Sequence, residues 1–245
     1  MRTFYTGKTI FMHCSGLFWG LVLTCTACSD AESGLYPAPA PPAPAPAVHL
    51  LALGDSYTKG QGVSVAQSFP YQLADVLRAR GKEVKGVRVI AQTGWRTDQL
   101  EGAILAATDI QDSVFGLVTL CIGVNNQYQK RDTAVYRAEF ERLLQKALAF
   151  AGGSTDRVIV LSIPDWAYTP YGQQYSNPAK TSAEIDAYNA INREIAQRYR
   201  AVYLDVTGIS RQGLARPGLV ASDQLHPSGQ QYALWVEAMM PLLPF

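Results

Sequence analysis

Three histidines occur in the chain, at positions 13, 49 and 226, and a serine that attacks a carbonyl would need one of them. A serine alcohol is a weak nucleophile until an adjacent base takes its proton. His13 falls in an apolar leader and His49 opens an apolar run, where a lone histidine is most simply structural, so His226 is the imidazole that is left. Asp223 precedes it by three residues in SDQLHPSG, close enough in a turn to fix the imidazole tautomer and steady its protonated form. The same tetrad also suits an ordinary helix N-terminus before Pro227. Ser56 stands in VHLLALGDSYTKGQG, directly after an apolar run. Gly-Asp-Ser tolerates turn geometry, so these residues read either as a surface turn or as a nucleophile held at the end of a strand.

The elements that would carry these residues alternate regularly. VHLLALG, VKGVRVIAQ, FGLVTLCIG, RVIVLSIP and AVYLDV have the length and the Val/Ile/Leu content of strands buried on both faces. Between them, residues 69–80, 97–107, 133–150 and 182–199 carry apolar side chains at three- and four-residue spacing and read as helices. Such alternation predicts an α/β fold, a three-layer α/β/α sandwich around a mostly parallel five-stranded sheet, with sites at the C-terminal ends of its strands. Asp55 and Ser56 follow the first strand, Gly94 and Trp95 the second, and Gly123 to Asn126 the third; the fourth is followed by PDWAYTPYGQQYSNPAK, an aromatic stretch of the kind used in lids and binding loops. Trp95, Trp166, Tyr168 and Tyr171 either line a substrate pocket or pack loops. Asp55 reads as a turn residue, and Cys121, inside a strand, as a small core hydrophobe.

The chain has 245 residues, 48% of them hydrophobic, enough for one large core. Its net charge of +1 and its lack of a basic stripe exclude a nucleic-acid binder. Residues 1–27, with Arg2, Lys8 and the apolar GLFWGLVL, read as an export signal; LTCTAC then resembles a lipoprotein cleavage site with Cys28 as the lipid-bearing residue, although Cys25 stands where leucine is usual. Cleavage there would turn the net charge from +1 to −1, and acylation of Cys28 would leave Cys121 without an intramolecular partner. Residues 28–47 contain a Pro/Ala alternation that reads either as a polyproline spacer spanning roughly 30 Å or as a disordered linker with no spacing role, and residues 48–245 form the domain. The expectation is an exported protein, periplasmic or at the cell surface, touching a membrane through its anchor. No cysteine-histidine cluster offers a metal site, and no cofactor is expected.

Four blocks then fit together. GDSYTKG (54–60), the glycine of AQTGWRT, GVNN (123–126) and DQLH (223–226) follow one another in the order and positions of the GDSL esterases and lipases, and from Val48 to Phe245 the chain resembles that SGNH hydrolase superfamily. The resemblance implies a flavodoxin-like fold and a serine esterase with Ser56, Asp223 and His226 as its triad. It further implies an oxyanion hole made of the Ser56 and Gly94 N–H groups and the Asn125 amide. Trp95, Asn126, Trp166 and Tyr168 become candidates to line the substrate, an O-acylated carbohydrate or a lysophospholipid or short-acyl ester. A catalytically inactive binding module on the same fold is the alternative. Asn126 stands where the family commonly has aspartate. Thr58 occupies the place of the second glycine in Gly-x-Ser-x-Gly, so the α/β-hydrolase nucleophile elbow is not the model.

Overall fold

The computed structural model describes residues 47–245; the segment expected as an export signal, Cys28 and all but the end of the Pro/Ala stretch lie outside the described residues. Five strands, β1 (Val48–Gly54), β2 (Val84–Ala91), β3 (Leu117–Cys121), β4 (Val158–Leu161) and β5 (Val202–Leu204), form one sheet in the order β2-β1-β3-β4-β5, every pair parallel. β1, β3 and β4 are the buried runs expected. β2 and β5 are edge strands and stay half-exposed, a departure from burial on both faces that follows from their having a neighbour on one side only.

Helices cover both faces. On one, α2 (Phe69–Ala79) packs against α9 (Gly229–Met239), which the short α8 (Thr207–Ser210) precedes in the chain; on the other, α3 (Thr97–Ala106), α5 (Thr133–Phe150) and α7 (Pro178–Arg198) pack side by side. α5 buries Tyr136, Phe140, Leu143, Leu144 and Ala147, a stripe at helical spacing. α7 begins four residues before the predicted Ser182, because the Asn177 side chain caps the Lys180 N–H and Pro178 fits the first turn. α9 was not among the predicted helices, yet it supplies Tyr232, Trp235 and Met239, all fully buried.

The chain runs from β1 outward to β2, then returns past β1 to β3, so the strand order reverses between β1 and β3. At such a switch point the connections diverge and leave a crevice at the strands' C-terminal ends. Short helices start there: α1 (Ser56–Lys59) leaves β1 and α4 (Val124–Tyr128) leaves β3. The two strand ends approach so closely that a Cβ on Gly54 would collide with the Thr58 hydroxyl and with the Cys121 carbonyl oxygen. The carbonyl belongs to a buried strand and cannot yield, so only glycine fits. Gly54→Ala should therefore destabilise the domain by about 1–3 kcal/mol in thermal melts, as overpacking does. Gly102→Ala, in the middle of α3 with nothing within 4 Å of the new methyl, should stabilise it by about 0.5–1 kcal/mol.

Candidate active site

Asp223 does two jobs with two oxygens. Its Oδ1 accepts the backbone N–H groups of Leu225 (3.0 Å) and His226 (2.9 Å), closing the turn that carries both residues. Its Oδ2 lies 2.7 Å from His226 Nδ1. The turn is tight enough to force Gln224 to φ 63°, and it is fastened by Ala221 N–H donating to the His226 carbonyl and by Tyr171 N–H donating to the Gln224 carbonyl. Burial works to raise the Asp223 pKa, but the two amides and the imidazole outweigh it and hold the carboxyl below its usual value. With Nδ1 donating to this carboxylate, the lone pair of a neutral His226 falls on Nε2. The imidazole leans edge-on against the Tyr57 ring, centroids 5.6 Å apart. Gly62 lets the loop after α1 pass behind: a Cβ there would stand 2.8 Å from Asp223 Oδ2.

Ser56 and His226 line one cleft of roughly 230 Å³, together with Asn125, Tyr128, Trp166 and Tyr171. Ser56 opens α1, whose cap is Asp55; the Asp55 side chain accepts the Tyr57 N–H at 3.0 Å. Asp55 is fully buried, its Oδ2 without a partner among the described residues, and desolvation raises its pKa from 3.8 to about 7 against the pull of the backbone amides of Tyr57 and Gly123.

The two asparagines do not leave the strand in opposite directions, as successive strand residues would; both sit in α4. Asn125 faces the cleft and donates its side-chain N–H to the Trp95 carbonyl at 2.9 Å, which leaves its second N–H free to serve the cleft. Asn126 is fully buried and does not line the cleft, contrary to its place among the substrate-lining candidates. Its Oδ1 accepts the Thr97 backbone N–H (3.1 Å) and its amide donates to the Thr97 hydroxyl (2.6 Å), which in turn bonds the carboxylate of buried Glu139. Consecutive asparagines thus grip consecutive parts of the 95–97 segment, just after Gly94. Gly94 has φ +87°, and no atom stands within 4 Å of where its Cβ would be; its N–H meets no backbone carbonyl among the described residues. The chain Asn126–Thr97–Glu139 also accounts for the missing aspartate: an Asp at 126 would set two carboxylates on one hydroxyl.

Trp95 and Tyr168 are also absent from the cleft wall: Trp95 packs on the core, and Tyr168 lies beside the Arg211 guanidinium. Trp166 lines the cleft, its indole N–H donating to Gln127 Oε1 at 3.0 Å. The stretch expected as a lid loop is largely helical. Asp165 and Thr169 cap successive short turns there, the second being α6 (Pro170–Tyr175). Tyr128, a member of the cleft wall, was missed by sequence reasoning; its position four residues after Val124 on a short helix was the only signal. Among the described residues, no group of three or more His, Cys, Asp or Glu could hold a metal ion, and no helix is long and apolar enough to cross a membrane.

Two outcomes follow from this geometry. Asn126→Asp should cost about 1–3 kcal/mol in denaturant melts, and most of that loss should vanish in a Glu139→Gln background; equal losses in both backgrounds would show that the two carboxylates do not compete. Asp55 holds its proton in the folded protein up to about pH 7, whereas the unfolded chain releases it near 3.8. Its contribution is therefore complete below 3.8 and is lost as pH rises through 7, by up to about 1.4 kcal/mol per pH unit crossed. Urea unfolding at pH 4.5 and 8 should show wild type losing stability relative to Asp55→Asn; a constant difference would contradict the raised pKa.

Comparison with known proteins adds to this geometry. The model of the GDSL-like lipase/acylhydrolase family matches residues 52–234. No curated protein matches the chain in sequence. Among solved structures, TesA superposes with a TM-score of 0.62 at 19% identity, covering 80% of this chain and 98% of that one. The lipase/acylhydrolase from Enterococcus faecalis gives 0.59 at 19% identity over 79% and 94% of the two chains, and the acetylxylan esterase Axe2 from Geobacillus stearothermophilus gives 0.58 at 17% over 81% and 94%. At these identities the structures speak for the fold alone, and the family match carries the rest: the chain belongs to the GDSL-like lipase/acylhydrolase family, the SGNH hydrolases, and is a hydrolase of ester bonds.

Proposed function

We propose that Ser56 is the nucleophile of this esterase, His226 its general base and acid, and Asp223 the group that orients the imidazole. Ser56 Oγ attacks the ester carbonyl as its proton passes to His226 Nε2, and the carbonyl π pair moves onto oxygen. The N–H groups of Ser56 and Gly94 and the free N–H of the Asn125 amide receive that oxyanion. Collapse breaks the bond to the alcohol, whose oxygen takes the proton from His226. Water then repeats the sequence on the acyl-enzyme, releasing the acid and restoring the serine. The observation that carries this reading is the divided use of Asp223, which spends one oxygen on its own turn and the other on Nδ1, in a residue pair whose imidazole shares a cleft with Ser56.

The substrate is an O-acylated carbohydrate or a lysophospholipid or short-acyl ester; relatives by fold carry both kinds of name, an acetylxylan esterase and a lipase. We further propose, on the sequence of residues 1–47 alone, that the domain is exported and tethered to a membrane through lipid on Cys28. Membrane fractionation of Cys28→Ser checks this: release from the membrane fraction is expected, and an unchanged distribution would remove the anchor.

An ester panel tests the catalytic assignment. Ser56→Ala and His226→Ala should each lower kcat/KM on the order of 10⁴-fold or more, and the double variant should lose little beyond either alone. Asn125→Ala should lower kcat by about 10²- to 10³-fold with KM little changed. A double variant that loses the product of the single effects would contradict a shared triad.

A further inference from the structure

Tyr128 and Trp166 are walls shared by two clefts. On one side is the Ser56 cleft; on the other is a second hollow of roughly 280 Å³, closed by Tyr175 and by the first turns of α7 with Lys180 and Glu184. The two hollows are neighbours across these two side chains, the second reaching the start of α7. We propose that this second hollow binds the sugar part of the substrate, and that the ester cleaved at Ser56 is carried by an oligosaccharide. The proposal rests on the esterase reading of Ser56 and adds the class of the alcohol.

The chemistry of the lining carries this. A pyranose has a flat C–H face and a rim of hydroxyls, and it needs aromatic surface for the one and close polar groups for the other. Tyr128 is 55% exposed and Tyr175 63% exposed, although the fold buries most of its large aromatic residues. They belong to one continuous series of rings: Tyr128 to Trp166 at 5.6 Å, Trp166 to Tyr171 at 6.2 Å and Tyr171 to Tyr175 at 4.7 Å between centroids. Each tyrosine presents an amphipathic face with a hydroxyl at its tip.

The polar side of the hollow is held in place. Trp166 donates to Gln127, and the Gln127 amide donates to Glu184 Oε2 at 2.7 Å, so the indole and the carboxylate are fixed to each other across the floor. Lys180 lies 3.8 Å from the other oxygen of Glu184. Lys130 is held at φ 53°, a conformation rare for a residue with a side chain, with its N–H on the Gln127 carbonyl at 2.9 Å. Ammonium, carboxylate and amide groups share one hollow and keep part of their water, which an acyl chain would strip from them without replacing it. Hydroxyls would replace the lost water. A phosphate headgroup fits less well, because Glu184 stands beside Lys180 and repels it.

Partially O-acetylated tetrasaccharides of xylose, mannose and N-acetylglucosamine, their monosaccharide counterparts, p-nitrophenyl acetate and lysophosphatidylcholine serve as probes. The expected result is that for at least one sugar kcat/KM is tenfold or more higher on the tetrasaccharide than on the monosaccharide. Tyr175→Ala should erase most of that gain, chiefly through KM; the exposed position of Tyr175 leaves folding intact. The deacetylated tetrasaccharides are also titrated into the Ser56→Ala protein, following tryptophan fluorescence, and at least one should bind and lose affinity when Tyr175→Ala is added. If no ester is turned over, the esterase reading fails and this titration alone decides the subsite. The proposal is overturned if no tetrasaccharide gains rate or binds. It is also overturned if the gain survives Tyr175→Ala, or if that variant loses lysophosphatidylcholine turnover and not sugar-ester turnover, which would give the hollow to a lipid.

Discussion

The site is built around the contact of two strand ends, β1 at Gly54 and β3 at Cys121, which fixes where α1 and its serine begin. The missing side chain at 54 lets the carbonyl of one strand and the first turn of α1 occupy nearly the same space. Ser56 is fixed by the strand before it and by the cap that Asp55 puts on the helix after it. The Gly123 amide lies near enough to favour the Asp55 carboxylate, so the residue beside the proposed nucleophile sits close to the segment that delivers Asn125. A carboxyl buried this deeply resists ionisation, and keeping it neutral spares the strand junction an uncompensated charge.

A second constraint runs outward from there. Gly94 lies on an exposed turn after an edge strand, where little of the core restrains it. Asn125 and Asn126 supply that restraint from α4, one gripping the Trp95 carbonyl and the other the Thr97 amide and hydroxyl. The proposed oxyanion donors thus come from three strand ends but are connected by side-chain hydrogen bonds. Preorganised donors of this kind lower a barrier because they need not reorient when charge develops.

Much of this was legible in the sequence, for definite reasons. Buried parallel strands have long apolar runs and α5 a long periodic stripe, so the layers and the sheet could be read before the structure was known. The three-residue spacing of Asp223 and His226 is a property of a single turn, and local geometry survives translation from sequence to structure. Burial and direction are different. Nothing in GVNN says which asparagine turns inward, because that depends on Thr97 and Glu139, which are distant in the chain. Trp95, Tyr168 and Tyr128 are similar in type, and only the packing of α4 against the segment after β4 decides that Tyr128 faces Ser56. The aromatic stretch after β4 looked like a loop because Pro, Gly and Asn punctuate it. Those residues instead act as helix starts and caps.

Covalent labelling with a fluorophosphonate, read by intact mass and peptide mapping, is the most direct measurement of whether this strand junction activates its serine. A single adduct on Ser56 is expected, slowed by orders of magnitude in folded His226→Ala protein. An adduct on another serine, or none at all on the folded wild-type domain, would contradict the placement of the nucleophile at the end of β1.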